Sequence, residues 1–165
     1  MFDAGELVVY GCSGVYRVES VGKPDISGCG DKDYYTMTPV FGTGTSYVPV
    51  DTTVFMRKVM SADEADRLIK SIPQITQTQF CERSPKAIKE HYLSALRSHD
   101  CTVLVAMIKE IYLKGEKAKS SNKKLSRIDH QYMTQAEDLL YGELAVALGI
   151  SKEDIPRYIK KKIEG

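Results

Sequence analysis

Three histidines, four cysteines and adjacent carboxylates such as Asp63/Glu64 and Glu137/Asp138 are the side chains of this 165-residue sequence that could carry out catalysis or hold a metal. Their spacing argues against both. His91, His99 and His130 include no pair four residues apart, the arrangement that puts two imidazoles on one helical face for zinc. Cys12, Cys29, Cys81 and Cys101 contain no Cys-x-x-Cys, and a structural zinc site is not expected. Asp63/Glu64 and Glu137/Asp138 are sequence neighbours, which on a helix point in different directions and do not form an acid–base couple. Phosphate-cradling glycine loops and a Gly-x-Ser-x-Gly nucleophile turn are missing. The reading is a protein with no cofactor and no metal that is not an enzyme.

The charge pattern points to binding. Residues 1–60 carry five basic and seven acidic side chains, net −2, which leaves +3 for the remainder of a chain whose total is +1. Within that remainder, residues 83–127 hold eleven Lys/Arg against four Asp/Glu, net +7. A phosphate-contacting surface needs such a concentration, and a solvated helical face carries one too. No apolar run approaches the roughly 20 residues of a membrane span, and Met1-Phe2-Asp3 begins no secretory leader. A cytoplasmic protein with reduced thiols and no membrane partner is expected.

The elements that must position these surfaces fall into two kinds. Leu7-Val8-Val9-Tyr10 and Val15–Val21 read as strands joined by a turn between Gly11 and Gly14. The second strand alternates as if one face were wet. Tyr34–Pro39, Thr45–Asp51 and Thr53–Arg57 read as three further strands, and residues 22–32 as a loop. Five short strands in about sixty residues predict a small Tudor- or SH3-like barrel. From Ser61 the pattern turns helical. Ser61-Ala62-Asp63-Glu64 is a capping box, residues 73–84 read as a linker, and Ser84-Pro85 starts a second helix. Asp100 caps a third with the stripe Val103, Leu104, Met107, Ile108, Ile111 and Tyr112. Residues 115–124 read as a basic hinge, a long helix runs from Leu125 to a stop at Gly149, and a short one follows Ser151. The fold class is α+β: a β domain over 1–60 and an all-α bundle over 61–165.

Several stretches, in this order and spacing, resemble the CarD family of bacterial transcription regulators. They are Gly5, Val8-Val9-Tyr10, Gly14-Val15 and Val18, then Tyr34-Tyr35, Val48-Pro49-Val50-Asp51 and Arg57-Lys58-Val59-Met60-Ser61. Further along come Leu93-x-x-Leu96-x-Ser98-x-Asp100, and Leu125-Ser126 with Ala136 to Ala145. The resemblance implies that the β domain binds RNA polymerase, adding a strand to the β subunit as its edge pairs with the lobe. Carried over, the pairing segment is Thr45, Ser46, Tyr47 and Val48. A basic residue is common in the family where Tyr47 stands. The family's helical domain contacts promoter DNA at the edge of the melted region, where a tryptophan wedges into the minor groove. This chain has no tryptophan. That position falls at or near Pro85, with Phe80 the nearest aromatic upstream. Lys86 and Lys89 are then placed for phosphates, and His130 matches a basic family position. The resemblance implies a monomer that modulates open-complex stability without reading bases. The rival reading is a polymerase-bound adaptor whose helical domain recruits a protein instead of DNA. Salt dependence separates the two.

Overall fold

The computed structural model describes residues 1–28, 30–77, 80 and 83–165. The expected thiols Cys29 and Cys81 lie outside them. The chain divides into two compact units, Met1–Met60 and Ser61–Gly165.

The first unit is a five-stranded antiparallel sheet: β1 (Leu7–Tyr10), β2 (Gly14–Gly22), β3 (Tyr34–Pro39), β4 (Ser46–Pro49) and β5 (Met56–Lys58). The strand order is β4-β3-β2-β1-β5. β1 and β2 turn back on each other at Gly11, whose φ of 50° favours glycine. Val8, Val18, Tyr35, Met37 and Val48 form the core, with Phe2, Tyr10, Tyr16, Val21, Val50 and Met56 packed around it. Val18 and Val21 are an odd number of residues apart yet share that core, because a register shift between Val18 and Ser20 flips the alternation.

The five-stranded antiparallel sheet followed by helices is as expected, and hydrogen bonding does not itself close the sheet into a barrel: β4 pairs only with β3, and β5 only with β1. The three- and four-residue end strands are joined through residues 50–55 without pairing to each other. Nor does β2 have one uniformly wet face. Val9 and Val15, directly opposite one another, are 7% and 5% exposed, although the neighbouring Val8 points into the core.

The second unit contains α1 (Ala62–Ser71), α2 (Pro85–Leu96), α3 (Cys101–Ser120), α4 (Arg127–Leu148) and α5 (Ile155–Glu164). Short 3-10 turns lie at Ile72–Gln74 and Lys152–Asp154. Local chemistry explains the starts. The Ser61 hydroxyl accepts from the Glu64 N–H at 3.1 Å, and the Glu64 carboxylate accepts from the Ser61 N–H at 2.8 Å, which completes the capping box. Ser84, Asp100 and Ser126 cap α2, α3 and α4 in the same way through one side-chain oxygen each. Gly149, at φ 68°, ends α4. The expected hinge over 115–124 is corrected: α3 runs through Gly115 to Ser120. Leu125 folds back over Gly115, which is a packed helical position and not a hinge.

Part of the segment read as a linker is pinned. Lys109 of α3 donates from Nζ to the carbonyls of Ile72 and Ile75, the latter at 2.7 Å, and so ties α3 to the segment that follows α1. No helix among the described residues is long and apolar enough to cross a membrane.

Candidate functional site

β4 lies at one margin of the sheet, so one side of its backbone has no partner strand. Which groups face outward follows from the register. The Val50 N–H donates to the Asp33 carbonyl at 3.1 Å, which makes Asp33/Val50 a hydrogen-bonded pair. Antiparallel ladders alternate bonded and non-bonded pairs. Tyr35/Val48 and Met37/Ser46 are therefore bonded, whereas Tyr34/Pro49 and Thr36/Tyr47 are not. The N–H and C=O of Ser46 and Val48 thus point into the sheet, and those of Tyr47 point out of it. Pro49 occupies an outward position, where its missing N–H costs the ladder nothing. Its carbonyl accepts from the Thr52 N–H at 3.0 Å, and that turn closes the end of the edge. Thr45 precedes the strand.

The side chains alternate with the backbone. Val48 is 4% exposed in the core, and Tyr47 is 42% exposed on the other face. Of the four residues expected to pair with a partner, Tyr47 is the strand residue whose backbone is presented. Ser46 and Val48 hold the edge in place.

The opposite margin is built differently. Exposed edges invite pairing, and charged side chains blunt them. On β5, the Gly11 N–H to Phe55 carbonyl bond (2.7 Å) and the Val59 N–H to Leu7 carbonyl bond (3.2 Å) fix Val9/Arg57 as a bonded pair, which leaves Met56 and Lys58 facing outward. There the Arg57 guanidinium donates to the Lys58 carbonyl at 3.2 Å, and the Lys58 ammonium pairs with Glu6 at 3.2 Å. β4 reads Ser-Tyr-Val-Pro and carries no charge at all. The two margins of one sheet thus differ: one is blunted and the other is open.

In the helical unit, Pro85 is the first residue of α2, and the Ser84 hydroxyl accepts from the Ala87 N–H at 3.0 Å beside it. Pro85 thus serves helix initiation. Lys86 and Lys89 are exposed on α2, and His130 is exposed in the first turn of α4. Phe80 stacks flat on His91, with centroids 4.0 Å apart and planes 3° from parallel, so its ring is committed to α2. His91 Nε2 meets the buried Glu110 carboxylate of α3 at 3.0 Å.

Below this surface lies a buried polar node. The hydroxyl of fully buried Tyr92 donates to Asp129 Oδ1 at 2.5 Å, and Lys114 Nζ lies 3.1 Å from that hydroxyl and 3.2 Å from the carboxylate. α2, α3 and the start of α4 are tied together there. Burial by itself would push the Asp129 carboxyl up, but hydrogen bonds from Tyr92, Ser126 and Lys114, and the Lys114 charge, outweigh it and hold it below its ordinary value. Burial, with Asp129 beside it, pushes the Tyr92 phenol up, so the hydroxyl stays a donor. Sequence reading missed Lys109, Lys114 and Asp129. Their partners lie 15 to 37 residues away, beyond any local pattern.

Among the described residues, no group of three or more His, Cys, Asp or Glu side chains could hold a metal ion. The Cys101 thiol is buried and donates to Glu143 at 3.2 Å.

Residues 2–60 match the family model of the CarD-like/TRCF RID domain, which covers the first unit and leaves residues 61–165 outside the match. No curated protein matches the chain.

Proposed function

We propose that the CarD-like/TRCF RID domain of residues 2–60 docks this protein on RNA polymerase, with a strand of the polymerase β subunit added to the open edge of β4. The protein acts as a non-enzymatic transcription regulator. Its helical unit approaches promoter DNA through phosphates and the minor groove, without reading bases, and alters open-complex stability. The observation that carries the docking half is the uncharged β4 margin, where Tyr47 turns both backbone groups outward while the β5 margin is blunted by Arg57 and Lys58. Lys86, Lys89 and His130 support the DNA half, being exposed on elements joined through Tyr92 and Asp129.

The test is capture of RNA polymerase, or of its isolated β lobe, by wild-type chain and by Tyr47→Pro and Tyr47→Ala. Proline removes the outward N–H at a position where the sheet does not use it, so folding is retained by circular dichroism and capture is lost. Alanine keeps the backbone donor and retains part of the capture. Equal capture by wild type and a folded Tyr47→Pro chain, or no capture by wild type, rejects the docking.

A second reading of the helical unit, recruitment of a protein, is favoured by Tyr112 and Leu113 of α3, which are 58% and 40% exposed. Duplex affinity that falls steeply with salt supports DNA, and salt-independent capture of a protein supports the adaptor.

A further inference from the structure

α5 reads Ile-Pro-Arg-Tyr-Ile-Lys-Lys-Lys-Ile-Glu. Arg157, Lys160, Lys161 and Lys162 are all exposed, and residues 155–163 contain no acid. On a helix, Arg157, Lys160 and Lys161 fall at i, i+3 and i+4 and form one stripe. Arg157 and Lys161 are about 6 Å apart along the axis. The other side of the helix is anchored. Ile155 is fully buried, and the Tyr158 hydroxyl donates to Asp66 of α1 at 3.0 Å. Lys162 leaves the stripe and sits over the Tyr158 ring, 5.5 Å from its centroid.

Helix chemistry accounts for only part of this charge. Cations in the last turn complement the helix dipole, which covers Lys161 and Lys162. Arg157 stands in the first turn, where the dipole disfavours a cation. Among the described residues no ion pair holds Arg157, Lys160 or Lys161. Glu164, one turn beyond, is the single acid of the helix. A stripe of cations turned to solvent and held by no ion pair among the described residues is complementary to a regular polyanion.

We infer that the Arg157–Lys160–Lys161 stripe of α5 is a phosphate-contacting surface that lies along the backbone of duplex DNA. This rests on the DNA reading of the helical unit and adds a surface separate from α2. Contacts of this kind position the protein and carry no sequence information.

The experiment measures binding of a labelled duplex by the full chain across a salt series. It compares wild type with the triple variant Arg157→Gln, Lys160→Gln, Lys161→Gln and with a charge-matched control, Lys117→Gln, Lys119→Gln, Lys123→Gln. Each phosphate contact contributes about 0.9 to the slope of log affinity against log salt, so loss of three contacts lowers that slope by about 2.7. The expected result is that drop in the α5 variant, with the control near wild type and polymerase capture unchanged in both. An α5 variant with the wild-type slope, or a control that falls as far, overturns the stripe while the DNA reading stands. Salt-insensitive or absent duplex binding by wild type overturns the DNA reading, and the stripe with it.

Discussion

Tyr92→Phe isolates the node that holds the helical unit together. The ring is fully buried and stays in place in the variant, so no cavity opens. What disappears is the 2.5 Å bond to Asp129, a carboxylate that is itself only 7% exposed. A hydrogen bond to a charged group contributes about 1.5–3 kcal/mol, and a buried acceptor left short of a donor adds its desolvation cost. Asp129 keeps Lys114 at 3.2 Å, and the Lys114 side chain is 35% exposed, so water replaces part of what that ammonium loses. The two considerations place the loss near the middle of the range, about 2 kcal/mol. Urea denaturation of the full chain, followed by helical circular dichroism, reads it directly. With a slope of about 1–3 kcal/mol per molar urea, the midpoint should fall by about 1 M while the slope stays constant. A fall below about 0.3 M at constant slope would refute the assignment of the node as a main tie between α2 and α4. Lys114→Met in wild-type and Tyr92→Phe backgrounds adds a second reading: residues sharing a network should show a coupling of at least about 0.5 kcal/mol.

Other perturbations follow from single features. Gly115→Ala is expected to stabilise the chain by about 0.5–1 kcal/mol, since the position is inside α3 and a Cβ meets Leu125 no closer than 3.5 Å; thermal denaturation measures it. Gly149→Ala should cost about 1 kcal/mol, because φ is 68° at that helix stop. Ser61→Ala removes one half of the capping box and should cost about 1 kcal/mol in the same assay. Acidification should act through Asp129. Its folded value lies below the ordinary one, so its stabilisation is present above about pH 4 and is lost as pH falls through the folded value. Glu137 acts in the opposite sense: burial, then Asp138, raises it, so its contribution is lost as pH rises through the folded value. Glu137→Gln should therefore gain stability at neutral relative to acid pH in paired urea titrations.

Signals that act within about four residues were legible. Ser61 with Glu64, Ser84 with Pro85, Asp100 and Gly149 each announce a helix boundary in the sequence, because cap and capped group are chain neighbours. The hinge over 115–124 was misread for the complementary reason. Gly, Ser and Lys look flexible in isolation, but Gly115 is helical and Leu125 packs back onto it. Five strands can be counted from a sequence, but their pairing cannot: β5 joins β1 at one margin and β4 joins β3 at the other. The even alternation expected for β2 was spoiled by a register shift that no residue type marks. The Tyr92–Asp129–Lys114 node draws on three helices, and nothing local to any one of them reports it.

The edge shows what finer geometry adds to a segment already picked out. Thr45 to Val48 could be singled out as a pairing segment, but the sequence treats its members alike. The Val50–Asp33 bond sets the phase of the ladder and separates them into residues that serve β3 and a residue, Tyr47, that faces outward. A proline at Val48 would remove an N–H that the sheet itself uses, so loss of binding there would report unfolding of the edge as readily as loss of a partner. A proline at Tyr47 removes a donor that only an added strand can use. The same phase rule applied to β5 finds its outward residues to be Met56 and Lys58, and the Lys58 carbonyl is already held by Arg57. One side of the sheet is thus protected by charge. The other is left with an uncharged strand, a proline where no donor is needed, and an exposed aromatic ring.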